Sequence, residues 1–423
     1  MSISAKFNPK SFSSKTTPFL AIGGSFFPIK RVNYTIQKEL NPITGEDNEY
    51  IFLELLTDNS IHPRRAILSA VDYLFDLFKL RLFINLLLLV FFFPLSLIAQ
   101  IGGISAFSFI NIETSPRIQA MGGSLIALYD NDLSLAQTTP SLLNNKMNNE
   151  LVFSFVDYFS DINVLAFSYA KEFKSLDVLS VGLKSINYGS FDLNDDIGTT
   201  SGVFAAHDQI FTLGLGKLLN DKFILGANIN LLNSQYETYH SSALYANLSV
   251  TYYNESKRFT STLLLRNMGR QISFYTNKKE NLPFEIQFAV SKELAHLPFR
   301  YHLTYNYLNK FDIKSPYRLT TQTNIETGEL EIKEESFPKT FLRHIVIGGE
   351  LNPFRKSLFL RGGFNFQRRF DMNIVNFPAM VGFSWGLGFK VSKFRLDYSR
   401  SSYHLSSAPN NFSIATNLTI FGL

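Results

Sequence analysis

From Glu150 to Leu423 the chain is a row of fourteen short segments in which apolar and polar residues alternate. Successive side chains of a strand point to opposite faces, so this period of two describes strands with one face in an apolar medium. Sustained for so long with hardly any helical period, it constrains this part of the chain to one large β structure. The segments fall at 150–158, 162–171, 177–188, 208–217, 222–232, 243–253, 258–267, 284–292, 299–308, 341–351, 358–366, 379–391, 393–402 and 410–420. In 222–232, Phe223, Leu225, Ala227, Ile229 and Leu231 oppose Asn228 and Asn230. In 299–308, Phe299, Tyr301, Leu303, Tyr305 and Tyr307 oppose Arg300, His302, Thr304 and Asn306. In 393–402, Phe394, Leu396 and Tyr398 oppose Lys393, Arg395, Asp397 and Ser399.

A soluble sandwich also alternates, so the connections decide between the two. After even-numbered segments they are short, as in Leu218-Leu219-Asn220-Asp221, Asn254-Glu255-Ser256-Lys257 and the single Ser392. After most odd-numbered segments they are long, at 189–207, 268–283, 309–340 and 367–378; only 159–161 breaks the rule. Outer-membrane barrels have short periplasmic turns and longer external loops. The expectation is therefore an all-β, transmembrane antiparallel barrel of about fourteen strands in a bacterial outer membrane, with both barrel termini periplasmic and those four loops external. The longest loop has room for a hairpin of its own, Thr320–Ile325 and Glu329–Lys333 about Glu326-Thr327-Gly328, or for an unstructured acidic loop.

Composition agrees. Phe (42) and Tyr (19) supply nearly all of a 15% aromatic content, which suits girdles at two membrane interfaces. Mean hydropathy near zero excludes a helical membrane bundle. The net charge of +5 is spread thinly, without the basic cluster or basic-aromatic stripe of a nucleic-acid binder. The absence of cysteine removes disulfides, thiolate metal sites and thiol nucleophiles together.

Upstream, Lys79-Leu80-Arg81 precedes the apolar run Leu82–Phe93 and then Leu95-Ser96-Leu97-Ile98-Ala99-Gln100, the layout of a secretory signal at 79–99 cut after Ala99. The competing reading, a membrane anchor, needs about 20 apolar residues, and this run is shorter and holds Asn85 and Ser96. Residues 1–78 show no repeat and no clear amphipathic period; they read as a leader upstream of the true start or a disordered stretch, or else as a genuine extension. Residues 100–148 carry turn signals at Gly122-Gly123, Tyr129-Asp130-Asn131-Asp132 and Thr139-Pro140-Ser141, with enough Phe, Ile, Leu and Met to pack. They are expected to fold into the lumen as a hatch or plug, and 149–423 to form the barrel.

Chemistry is sparse. The seven histidines include no His-Glu-x-x-His; His207, His240 and His404 fall in predicted loops, and His302 is placed on the lumen side without a serine neighbour in sequence. Asp130, Asn131 and Asp132 lack the Gly and Glu of a calcium loop and read as a turn. Arg395 and Asp397 read as lumen-filling partners. Gly348-Gly349 and Gly362-Gly363 are the candidates for a kink or gap in the wall, or simply for curvature. No catalytic, cofactor-binding or metal-ligating residue is assigned, and the chain reads as a non-enzyme.

Phe107-Ser108-Phe109-Ile110-Asn111, Ser115-Pro116-Arg117 and Met121-Gly122-Gly123 together resemble the start of the PorV/PorQ family of barrels. Ile186-Asn187-Tyr188-Gly189-Ser190-Phe191, Leu265-Arg266-Asn267-Met268-Gly269 and Leu282-Pro283-Phe284 through Leu294-Ala295-His296-Leu297-Pro298-Phe299-Arg300 resemble its PorQ members. The resemblance spans nearly all of Gln100–Leu423 and departs from the family at Thr139-Pro140, where such barrels commonly carry Asn-Pro. It implies a FadL-like barrel with an N-terminal hatch. It also implies a role in the type IX secretion system of Bacteroidota: a non-catalytic anchor in the cell-surface attachment complex, beside PorZ, PorU and PorV, that joins cargo to lipopolysaccharide. Partner-binding residues are then expected in the four external loops, with no nucleic acid involved. The alternative implied by the fold is a FadL-like transporter of hydrophobic small molecules, which would need an apolar lumen pocket, a lateral opening and a movable hatch.

Overall fold

The computed structural model describes residues 3–5, 29–40, 47–57, 62, 64–70 and 105–422, apart from 174–176, 196–197, 277, 315–320, 324–329, 333–334, 355–356, 373–379 and 405–407. The signal at 79–99 lies outside the described residues. The chain forms two compact units, Met1–Leu97 and Ile98–Leu423. In the first, Ile29–Leu40 runs antiparallel to Asp47–Thr57, with Ile36 opposite Ile51, and Ile3–Ala5 adds in parallel to the latter strand. A helical turn covers 64–70. The stretch read from sequence as lacking a period thus holds paired strands: Val32-Asn33-Tyr34-Thr35-Ile36-Gln37 does alternate, but the run Ile51-Phe52-Leu53 beside it does not.

The second unit is a closed antiparallel barrel of fourteen strands. Strands β1 to β7 are Glu150–Asp157, Asn163–Phe173, Asp177–Asn194, Thr200–Leu218, Phe223–Tyr236, Tyr239–Asn254 and Phe259–Ser273. Strands β8 to β14 are Glu285–Glu293, Phe299–Tyr305, Ile345–Leu351, Leu358–Asn365, Phe383–Val391, Phe394–Ser401 and Asn410–Asn417. Each pairs with its neighbours in sequence, and β14 closes on β1 from Asn410 opposite Asp157 to Asn417 opposite Glu150. Closure satisfies every backbone group of the wall internally, which a lipid-facing sheet requires.

The alternation read from sequence is the division between two media. Phe153, Phe167, Phe211, Ile229, Leu231, Leu303, Trp385 and Leu396 are exposed on the outer face. Ser154, Ser180, Asn228, Asn230, Thr251, Thr262, Thr304 and Ser399 are buried on the inner face. Outward rings collect near both rims: Phe223, Tyr252 and Phe259 at one, Phe155, Phe412, Tyr398 and Trp385 at the other. A closed barrel with an apolar outer band and aromatic girdles fits an outer-membrane location.

Several strand ends differ from expectation. The predicted loop 189–207 is mostly sheet, because β3 and β4 run on to Asn194 and from Thr200. Tyr188-Gly189-Ser190 is a bulge inside β3, with Gly189 at φ 85 and a register shift between Asn187 and Ser190, and not a strand end. The predicted loop 268–283 likewise shrinks, since β7 continues to Ser273. Past the bilayer a ladder still satisfies the backbone best while the outer face no longer has to be apolar, so the pattern fades before the strand does. The predicted loops 309–340 and 367–378 hold most of the helices Phe337–Arg343 and Phe366–Met372, and the first helix takes the opening residues of the predicted strand 341–351, which begins at Ile345. Thr321–Thr323 pairs with Leu330–Ile332, as the expected small hairpin requires, while its turn lies outside the described residues. His207 and His240 stand in β4 and β6, not in loops.

Candidate functional site

Residues 105–149 precede β1 and bond to the inner face of the wall. Ser115 caps the helix Pro116–Ala120, its hydroxyl accepting the Ile118 N–H, with Pro116 supplying the preset first turn. Beyond it, ten apolar residues, among them Ile118, Met121, Leu125, Leu133, Leu142 and Met147, make a core of their own with only Val152, Ala170, Val178 and Ala415 from the strands. Smaller apolar clusters join the segment to the wall, Phe107 and Ile110 with Ile210, Leu232 and Tyr245, Ile126 and Ala127 with Leu264 and Ala289, and Phe109 and Ile112 with Val156, Val164 and Ile186, and polar contacts run between them. Ser141 donates its N–H to Ser249 Oγ at 2.8 Å and shares a 2.7 Å hydroxyl pair with Thr251. Asn228 donates to the Gln137 carbonyl, Thr304 to that of Ser124 and Asn411 to that of Glu113, at 2.8, 2.8 and 2.9 Å.

The glycine pairs are seats, not gaps. Gly348 stands opposite Gly363 and Gly349 opposite Gly362 in an unbroken ladder between β10 and β11. A Cβ on Gly363 would lie 2.2 Å from the Met121 carbonyl carbon, and one on Gly226 would lie 2.0 Å from the Ser141 nitrogen. The inner segment therefore touches bare backbone at these points.

At the short-turn end a buried ionic network fixes the segment. Arg117 forms a bidentate pair with Glu350 at 2.9 and 2.7 Å and reaches Asp130 and Asp132 at 2.8 and 3.2 Å. Arg361 bridges Glu350 and Asp397, at 2.8 and 2.5 Å, and Arg395 bridges Asp132 and Asp397, at 2.6 and 3.1 Å. Arg395 and Asp397 are thus paired inside the lumen, and Asp130–Asp132 is a turn whose carboxylates are spent on arginines. A vestibule of about 890 Å³ opens beside this network.

Deeper in, a cavity of about 70 Å³ lies between Ile110–Thr114, Gln137-Thr138 and the inner faces of β2 to β7. Lys184 donates into it from the wall to the carbonyls of Ile110 and Ile112, at 3.2 and 2.5 Å. Arg266 and Asn267 also line it. His302 is buried, 2.6 Å from Thr304 Oγ1, and faces Ser291 across the β8–β9 ladder, but Ser291 donates to the Ala127 carbonyl. Among the described residues no group of three or more His, Asp or Glu is placed to hold a metal ion.

At the long-loop end, Arg343 grips Glu335 with two bonds of 2.6 and 3.0 Å and also pairs with Asp371, tying the two loop helices together. Lys339 joins Glu335 at 2.6 Å. Although burial pushes the Glu335 carboxyl up, Arg343 and Lys339 hold it below the usual glutamate range. Sequence reasoning marked Arg117 and Arg266 only inside family-like motifs; the partner of Arg117 lies 233 residues away, beyond any local signal.

No family model matches the chain. A 70-residue stretch is 37% identical to the DNA-directed RNA polymerase subunit alpha of Gracilaria tenuistipitata var. liui, covering 16% of this chain and 22% of that protein. A 70-residue match to the same subunit of Prochlorococcus marinus strain MIT 9301 is 36% identical. The chain spans about a fifth of the length of these curated relatives. Among solved structures, the Pseudomonas putida toluene transporter TodX is 11% identical with a TM-score of 0.38, over 71% of this chain and 96% of that one. A mutant of TodX, described as a monoaromatic hydrocarbon channel, gives 12% and 0.38 over 72% and 97%. A Pseudomonas aeruginosa FadL homologue gives 10% and 0.39 over 72% and 98%. The barrel itself rests on the strand register above and not on these likenesses.

Proposed function

We propose that this protein is a gated outer-membrane transporter of small molecules, with residues 105–149 as its plug. The observation that carries this reading is the interface between that segment and the wall. The segment has an apolar core largely of its own, and it meets the strands through hydroxyls, amides and charges as well as through three smaller apolar clusters. Hydrogen bonds of that kind exchange for water at little net cost, so the apolar clusters are the part of the interface that a shift of the plug has to open. A wall dressed with Ser, Thr and Asn suits an aqueous interior that a plug enters and leaves. In the same reading the export signal is cut after Ala99, the short turns are periplasmic and the long loops face outward. Hydrophobic solutes come first for testing, toluene among them. Every seam of the wall is paired, so passage requires the plug to shift.

A second reading, the non-catalytic anchor of a type IX attachment complex with PorZ, PorU and PorV as partners, is favoured by the sequence motifs of Gln100–Leu423 and by the folded long-loop face that Arg343 ties together. One deletion strain separates the two. With the gene removed, slower toluene uptake and an unchanged set of surface proteins is the expected result. Unchanged uptake, with type IX cargo lost from the surface to the medium, would overturn the transporter and leave the anchor.

A further inference from the structure

Among the described residues, two buried polar side-chain atoms without a hydrogen-bond partner belong to residues lining the 70 Å³ cavity. Asn267 is 1% exposed; its amide nitrogen donates to Asn111 Oδ1 and to the Pro283 carbonyl, while its Oδ1 accepts nothing. Gln137, which also lines the cavity, has a buried Nε2 without an acceptor. Arg266 lines the same space, and among the described residues no hydrogen bond or ion pair engages its guanidinium. Lys184 is different, its ammonium already committed to backbone carbonyls. Glu113, the other charged group here, accepts the Ser115 N–H.

The backbone is shaped to present these groups. Asn267 sits in the left-handed region at φ 60, and the β6–β7 register shifts between Leu265 and Met268. A bulge of this kind re-aims a side chain. Arginine does not lose its proton, and a buried donor or acceptor left unmade is costly, so the complement of this set is an anion that also carries a donor. One water needs roughly 10–15 Å³ of such space, so the cavity admits a molecule of several heavy atoms.

We infer that this cavity binds a small carboxylate bearing a neighbouring hydroxyl or ammonium group. Its carboxylate lies on Arg266 and Gln137 Nε2, and its donor on Asn267 Oδ1. The site is independent of whether the barrel transports anything, since it is read by equilibrium binding.

Calorimetric titration of the full chain in detergent, with lactate, glycine and propionate as probes, tests it. Lactate or glycine is expected to bind at least about tenfold tighter than propionate, which lacks the donor. Lactate alone would assign a hydroxyl, glycine alone an ammonium. Arg266→Gln should abolish binding of all three. Asn267→Gly, which suits the left-handed backbone, should erase the preference for lactate or glycine over propionate. Heat-modifiable gel mobility checks that each variant is a folded barrel. Absence of binding by every probe, equal affinity for propionate, or unaltered affinity in folded Arg266→Gln would each overturn the assignment.

Discussion

Two neighbouring glycines in β11 face opposite media, and substitution should tell them apart. A Cβ on Gly362 meets nothing within 4 Å, whereas one on Gly363 strikes the backbone of Met121 and Gly122. Gly363→Ala is expected to lower stability by about 1–3 kcal/mol, as overpacking does, and Gly362→Ala to stay within about 0.5 kcal/mol. Urea unfolding of the refolded barrel reads both; equal midpoints would mean that the inner segment does not rest there. Sequence offered the glycine pairs but not their use, because what presses on them is contributed by a turn more than two hundred residues earlier in the chain. The same holds for Arg117, whose pairing with Glu350 no local pattern announces. Asp397 and Arg395 were legible as a filled lumen because they fall on the polar side of a clean alternation.

The strands were legible wherever one face meets lipid and the other a polar interior. Their outer ends were not, since β3 and β4 persist beyond the stretch where alternation is enforced. The helices Phe337–Arg343 and Phe366–Met372 were missed for a similar reason: each is a short turn or two, too brief to show a helical period. Their link through Arg343 is expected to respond to acid. The Glu335 carboxyl is held below its ordinary value by Arg343 and Lys339. A depressed carboxyl contributes stability that is present above its unfolded value, near pH 4, and lost as pH falls through the folded value. Protease cleavage within 335–343 should therefore be slow at neutral pH and accelerate below about pH 4, with Glu335→Gln cleaved at both. A wild-type rate flat across that range, measured with an acid-active protease, would show that the ion pairs do not hold the loop.

For the whole molecule, the number of strands came from the alternating segments and the barrel from the parity of their connections, and closure itself followed from the physics of a lipid-facing sheet. The pairing in the first unit did not, because its second strand lacks alternation. Orientation can be read directly, as the native chain has no cysteine. Thr276→Cys in a long loop should react with a membrane-impermeant maleimide on intact cells, and Ser256→Cys in a short turn only after lysis; the reverse would invert the barrel. The seam between β14 and β1 has one further consequence. Asn149, where the inner segment enters β1, donates to Thr419 Oγ1 and accepts the Leu418 N–H, and Asn148 accepts from Asn417. The stem of the segment is thus stitched to the same strand that closes the wall, so one seam both shuts the ring and fastens what lies inside it.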